Sequence, residues 1–433
     1  MLRLLQINID TIVITMIISS VIGVAISYGD VYLYHICLLI MLFFLLLRLK
    51  LSNYRLNLSN HTGNLHFFFL IIFLWYSLSI LWAPNLTYAF KYLFYLLCGS
   101  GLSLSIIYFA NSIKKLDILF KALSFIFIIE LIIALLESFT PFQMPISRYS
   151  EWASIFGKTP QENFEYGVSS LFFKTSPPTG FHWDTNDLAL AMLLILPFFM
   201  VSNKISTKII GITSIMTIIA MASSRSVFFG LILIFLVYFF VIKKKVTTIL
   251  LVLGFASIVF FGILQLQTSD NPRLNELANS FEIISLYLTG KIDVDNSLQW
   301  RFELARNGID ALIKSKGLGV GAGGSVAIQE EIGGVAGRFT SMHNFWIEIL
   351  VEGGILFFIF FSTWYLIIMM NLYKTARNIK NQLSNRSTAL FLSMVGFIPA
   401  ALAASSTIYF FPMWIMLGMG IGIININNSL HHN

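Results

Sequence analysis

SSRSVFFGLILIFLVYFFVIKKK, residues 223–245, is the stretch whose reading decides the fold. From Val227 to Ile242 no residue is charged, and with its polar flanks the run has the roughly 17–25 residues that a helix needs to cross the hydrocarbon layer. A lone arginine, Arg225, closes one end and three lysines, Lys243, Lys244 and Lys245, close the other. Runs of this kind recur along the chain. We read twelve, centred near Val21, Leu39, Leu74, Leu97, Phe127, Leu194, Ser214, Ile234, Phe255, Phe357, Gly396 and Leu417. Of the 433 residues 57% are apolar and 11% charged, against about 25% charged in an ordinary soluble domain. The expectation is an all-α fold, a polytopic membrane helix bundle of about twelve transmembrane helices, with residues 1–433 as a single integral membrane domain.

The basic residues orient the bundle, because short loops rich in Lys and Arg stay in the cytoplasm. With the N-terminus inside, the cytoplasmic segments hold Arg3; Arg48, Lys50 and Arg55; Lys114 and Lys115; Lys204 and Lys208; the three lysines 243–245; and Lys374, Arg377, Lys380 and Arg386. Both termini are then cytoplasmic. The two long polar segments, residues 140–185 and 267–342, fall outside and are together net −3, so the rest of this +7 chain carries +10. The positive balance therefore reflects membrane topology, and nucleic acid is not an expected partner. The first run follows one basic residue and has no small-x-small cleavage site, so it reads as an uncleaved span. Cys37 and Cys98 fall inside predicted spans, which argues against a disulfide framework or a thiolate metal site.

Few ionisable residues interrupt the first five spans. Lys91, Lys121, Glu130 and Glu137 do; Lys121 and Glu137 read as snorkelling near helix ends, and Glu130 as a helix-pairing or catalytic group. The segment 140–185 is aromatic (Trp152, Phe156, Phe164, Tyr166, Phe172, Phe173), as befits a stretch lying in the interface. It ends in Asp184-Thr-Asn-Asp187, which can cap the next helix. In the second segment, Leu298 to Lys316 is amphipathic, with Phe302, Ala305, Ile309, Leu312 and Ile313 on one face, Ser297 as N-cap and Gly317 as the stop. The run Gly317-Leu-Gly-Val-Gly-Ala-Gly-Gly324 follows.

Three nominal motifs carry less than they promise. Gly319 to Gly324 lacks the βαβ setting of a dinucleotide loop and reads as a turn that brings backbone against another surface. Asp293-Val-Asp295 resembles the metal-binding pair of nucleotide-sugar transferases, but nucleotide sugars are cytoplasmic and this pair falls outside. Glu348 and Glu352, one turn apart, read as a structural pair. What survives is Arg225, Arg301 and His343, on three elements at the outer boundary. Arginine forks suit a diphosphate, and a histidine, with an ordinary pKa of about 6.5, suits proton acceptance. The competing reading of His343 is a cap or interface residue.

At these positions the chain resembles the O-antigen ligase/polymerase superfamily, membrane glycosyltransferases acting on polyprenyl-diphosphate-linked glycans. The elements that carry the resemblance are Ser223-Ser-Arg-Ser226, Trp300-Arg301, the Gly317–Gly324 turn, and Ser341-Met-His-Asn-Phe345 leading to Glu352-Gly-Gly-Ile355, with a weaker match at Gly180 to Asp187. They cover about residues 180–360; the first five spans match in hydropathy alone.

The resemblance implies a C-type glycosyltransferase-like fold whose large loop, 267–342, is catalytic, and a metal-independent inverting transfer with no cofactor. It implies His343 as general base and Arg225, Arg301 and, as an additional contact, Arg306 as ligands of the diphosphate. The implied partners are a polyprenyl-diphosphate-linked oligosaccharide, membrane lipid, a chain-length regulator and a flippase, in the bacterial cytoplasmic (inner) membrane. Polymerases and ligases share these motifs, and the Ile-, Asn- and Phe-rich composition is more like the polymerases of O-antigen, capsule and exopolysaccharide. The alternative from another class is a lipid-linked glycan transporter. Against it, no internal repeat is visible and the polar residues concentrate in one asymmetric loop.

Overall fold

Asn85, Ser112, Asp184 and Asn344 each end a loop and start a helix by accepting free backbone N–H groups, from Thr87 and Tyr88, Lys115, Asn186 and Ile347 respectively. They do so in a computed structural model that describes residues 9–52, 64–160, 177–243, 297–335, 340–378, 383–402, 404 and 408–432. The elements are α1 (Ile9–Ile22), α2 (Leu33–Ser52), α3 (Phe67–Ser79), α4 (Leu86–Phe109), α5 (Ile113–Phe139), α6 (Thr185–Met200), α7 (Ile205–Ala222) and α8 (Arg225–Leu236). After these come α9 (Ser297–Lys314), α10 (Gly324–Glu331), α11 (Phe345–Arg377), α12 (Ser384–Ala400) and α13 (Phe411–His432).

Helices cover eleven of the twelve expected span centres; the twelfth, near Phe255, lies outside the described residues, as do Asp293 and Asp295. Among the described residues six helices are long and apolar enough to cross a membrane: α4, α5, α7, α8 with its continuation to Ile242, α11 and α13. Four more stretches, in α1, α2, α3 and α6 with their flanking turns, are apolar but shorter. The structure is consistent with the all-α expectation and adds one small strand pair. Gly29, at φ +56, turns the chain so that Ser27–Tyr28 pairs antiparallel with Val31–Tyr32 in a small hairpin. A glycine adopts that backbone without the Cβ penalty, which helical periodicity does not register.

The bundle is built around α13. Its glycines let neighbours come close: a Cβ on Gly418 would sit 2.9 Å from the Ser103 backbone of α4, and the Ser103 hydroxyl donates to the Trp414 carbonyl at 2.8 Å. Small residues and interhelical hydrogen bonds are how helices associate where lipid removes the hydrophobic drive. A second close approach joins α8 and α12, where Gly230 faces the Gly396 carbonyl and Ala400, and Ile234 faces Gly396. That order makes the two helices antiparallel.

The amphipathic helix α9 is present, but its buried face is turned from the one expected. Leu304, Gly308 and Leu312 are buried while Ile313 is exposed. The reason is Gly308, whose missing side chain lets α9 pack against Met342 and Val351. Ser297, expected as the N-cap, is itself the first helical residue. The stop also differs by one residue. Lys316, at φ +54, takes the left-handed position and Gly317 N–H returns to the Leu312 carbonyl at 2.9 Å, a Schellman end.

Candidate functional site

The glycine run 317–324 and the kink in α11 are one construction. Inside α11, Gly354 leaves the helical range (φ 82, ψ 171), and the interrupted ladder needs other partners. The glycine run supplies them: Val320 N–H donates to the Val351 carbonyl at 2.9 Å, Gly321 N–H to the Glu352 carbonyl at 3.1 Å, and Ile355 N–H to the Gly317 carbonyl at 3.0 Å. Trp75 Nε1 takes the Gly353 carbonyl at 2.9 Å. A Cβ on Gly319 would lie 2.5 Å from the Glu352 carbonyl and from Gly354 N, so nothing larger than glycine fits there. This is the close backbone approach expected of the run, and its target is α11.

Glu352 and Glu348 are buried on either side of this junction. Glu352 accepts from the Ser325 hydroxyl at 2.7 Å, at the start of α10, and Glu348 accepts from the Tyr92 hydroxyl at 3.0 Å. A carboxylate at a helix N-terminus satisfies N–H groups that the helix leaves open. The expected structural pair is thus a cross-brace from α11 to α10 and α4.

One turn before Glu348 the chain enters α11 through Met342-His343-Asn344. His343 is half-buried and holds φ +47, uncommon for a residue with a side chain, though His, Asn and Asp tolerate it best. Both of its flanks are tied down: Met342 is buried against Gly308 of α9, and Phe345 N–H donates to the Ala401 carbonyl at 3.2 Å. Arg301 reaches the same turn from α9, Nη1 donating to the Leu402 carbonyl at 3.1 Å. Arg225 opens α8 after Ser223 in a left-handed cap (φ 53). Because α8 runs antiparallel to α12 with Gly230 beside Ala400, the start of α8 lies level with the residues just past Ala400.

Arg301 and the backbone beside His343 therefore meet at the turn that follows α12, and the start of α8 at Arg225 is level with it. Arg306 does not join them. It lies five residues beyond Arg301, about 140° round the axis of α9, and is exposed. Among the described residues no three His, Cys, Asp or Glu side chains assemble as metal ligands.

Sequence reasoning missed a buried acid–base layer between α5 and the segment that leads into α6. Glu137, expected to snorkel, is instead buried, because the returning segment brings it partners: it accepts from Thr179 N–H at 2.8 Å, Gly180 N–H at 2.6 Å and Met144 N–H at 3.0 Å. One helical region away, Glu130 pairs with His182, Oε1 to Nε2 at 3.1 Å, with both groups buried. Arg148 pairs with Asp184. Burial alone would lower the His182 pKa, but the Glu130 carboxylate, its hydrogen bond and the charge of Asp187 outweigh it and raise the value above 6.5. The His182 ring packs on Phe410, 5.7 Å between centroids, at the far end of the segment that carries Ala401 and Leu402. The signal for this layer was Pro177-Pro-Thr-Gly-Phe-His-Trp-Asp184, a polar turn opposite a helix with carboxylates spaced seven apart.

Fold and composition define a helical membrane protein with several apolar helices capable of spanning. Residues 209–362 match a family model described as O-Antigen ligase, and that match supports membership in the O-antigen ligase/polymerase superfamily. Members act as glycosyltransferase-like ligases or polymerases on lipid-linked glycans. The matched region holds Arg225, Arg301, Arg306 and His343. No curated protein matches the chain.

Proposed function

We propose that the chain is a membrane glycosyltransferase that polymerises polyprenyl-diphosphate-linked oligosaccharide repeat units into O-antigen, capsule or exopolysaccharide. It works on the outer face of a bacterial cytoplasmic membrane, with both termini cytoplasmic and the segments 140–185 and 267–342 outside. The observation that carries this reading is the gathering of Arg301, His343 and the start of α8 at Arg225 around the turn after α12, inside the region that matches the family.

In this reading His343 removes the proton from an acceptor hydroxyl, and the oxygen attacks the anomeric carbon from the face opposite the diphosphate. The C–O bond to the diphosphate breaks, its electron pair stays with the leaving group, and Arg225 and Arg301 hold the resulting charge. Arg301 Nη1 is anchored on the Leu402 carbonyl, which places the planar, five-donor guanidinium fork beside the turn where the diphosphate would lie. Such preorganised charge stabilisation commonly contributes about 10²–10³ in rate. No step requires a metal ion. Arg306, turned away from Arg301, would touch the lipid diphosphate only at its periphery.

The test is reconstitution in liposomes with a defined polyprenyl-diphosphate repeat unit, with and without excess chelator. A ladder of longer lipid-linked products, unchanged by chelator, supports the polymerase. Transfer only to an added foreign acceptor makes the protein a ligase, and movement of lipid-linked glycan without a new glycosidic bond makes it a transporter.

A further inference from the structure

At the end of the bundle away from the candidate site, the last turns of α11 and α13 leave a cavity of about 160 Å³, many times what one water needs. Its walls are mostly polar: Asn371, Lys374, Thr375 and Asn378 from α11, and Asn427 and Asn428 with the apolar Ile424 from α13. Asn371 and Thr375 are held by their own helix. The Asn371 carboxamide donates to the Ile367 carbonyl at 2.8 Å and the Thr375 hydroxyl to the Asn371 carbonyl at 3.1 Å, so each presents acceptor oxygen. Lys374 is exposed, and among the described residues no carboxylate pairs with it. The cavity also has an apolar approach. Leu356, Ile359, Phe360 and Ile367 are exposed on α11 at helical spacing, and the same face continues into Asn371, Lys374 and Asn378.

We propose that this cavity seats the headgroup of an anionic phospholipid, a phosphodiester carrying a polyol, with an acyl chain laid along the exposed stripe of α11. The ammonium of Lys374 meets the phosphodiester. The acceptor oxygens of Asn371 and Thr375 and the carboxamide of Asn428, which carries both donors and an acceptor, meet the hydroxyls of the headgroup. A headgroup ending in an amine would bring a second positive charge beside Lys374, which selects against the zwitterionic lipid. The stripe selects lipid over free phosphate, since only a molecule with a chain covers it. Basic pockets between helices near a membrane surface hold anionic headgroups by this combination of charge and apolar contact. The site is independent of the transfer reaction, because it lies at the other end of the 33-residue helix α11.

The experiment is native mass spectrometry on the full chain in detergent, titrated with phosphatidylglycerol, phosphatidylethanolamine or inorganic phosphate. One phosphatidylglycerol should bind per chain at least about tenfold more tightly than phosphatidylethanolamine. Lys374→Gln should weaken it by about tenfold, the weight of one charge-assisted contact, while Lys374→Arg keeps it. Asn428→Leu reads the same contact from α13 should the lysine variant fail to fold. Equal binding of the two lipids, undiminished binding by both Lys374→Gln and Asn428→Leu, or competition by inorganic phosphate at the lipid's own affinity would each overturn the proposal.

Discussion

Replacing Gly319 by alanine should unfold the junction that carries the candidate site, and Gly333→Ala calibrates how much of the loss is local. Both glycines have left-handed backbones, φ +92 and φ +84. A Cβ at Gly333 meets nothing within 4 Å, so alanine there bears only the conformational penalty of about 1–2 kcal/mol. At Gly319 the same Cβ would lie 2.5 Å from the Glu352 carbonyl and Gly354 N and 2.9 Å from the Gly353 carbonyl carbon, all backbone. The glycine run must then back away from α11 and lose the Val320–Val351 and Gly321–Glu352 hydrogen bonds, each worth about 0.5–1.5 kcal/mol net. The sum is about 2–5 kcal/mol for Gly319→Ala. The assay is thermal unfolding of the purified protein in detergent followed by tryptophan fluorescence, since Trp75 donates into the same kink. A Gly319→Ala midpoint no lower than that of Gly333→Ala would refute the claim that this run is a packed spacer against α11.

Three further outcomes follow from the site geometry. His343→Ala should abolish transfer while donor binding persists; near-normal turnover in a product-ladder assay would remove it as the base. Arg225→Ala and Arg301→Ala should each lower donor use by about 10–100-fold, the scale of a lost charge-assisted contact, whereas exposed Arg306→Ala should cost less than about threefold, and initial rates against donor concentration separate the two groups. The third concerns His182, whose pKa is raised despite its burial by Glu130 and then Asp187. Its contribution to stability is full below the ordinary value of about 6.5 and is lost as pH rises through the higher folded value. Thermal midpoints measured across that window should fall with pH in the native chain and flatten in Glu130→Gln; parallel curves would show that Glu130 does not raise the folded-state pKa of His182.

Much of this architecture is written in local chemistry. The apolar run behind Arg225, the Asp184 and Asn344 caps and the Leu298–Lys316 amphipathic stretch each declare a helix through properties that neighbouring residues share, and the structure places helices there. The turn of α9 about its axis was not legible, because it depends on Gly308, whose contribution is the absence of a side chain at the point where Met342 and Val351 arrive. The same holds for Glu137. Its place near a helix end suggested a solvated carboxylate, and only the return of residues 177–180 from another part of the chain converts it into a buried acceptor.

By itself the sequence determined that this chain is a set of apolar helices with Arg225, Arg301 and His343 near their ends, since hydropathy, capping and charge are properties of short segments. Tertiary structure alone decided which of those residues meet. Arg301 and the backbone beside His343 find the turn after α12 because glycines let α8 approach α12 and let residues 317–324 lock onto the kink in α11, while helical phase turns Arg306 aside. Close approach between distant segments is a property of pairs of surfaces, and no single stretch of residues carries it.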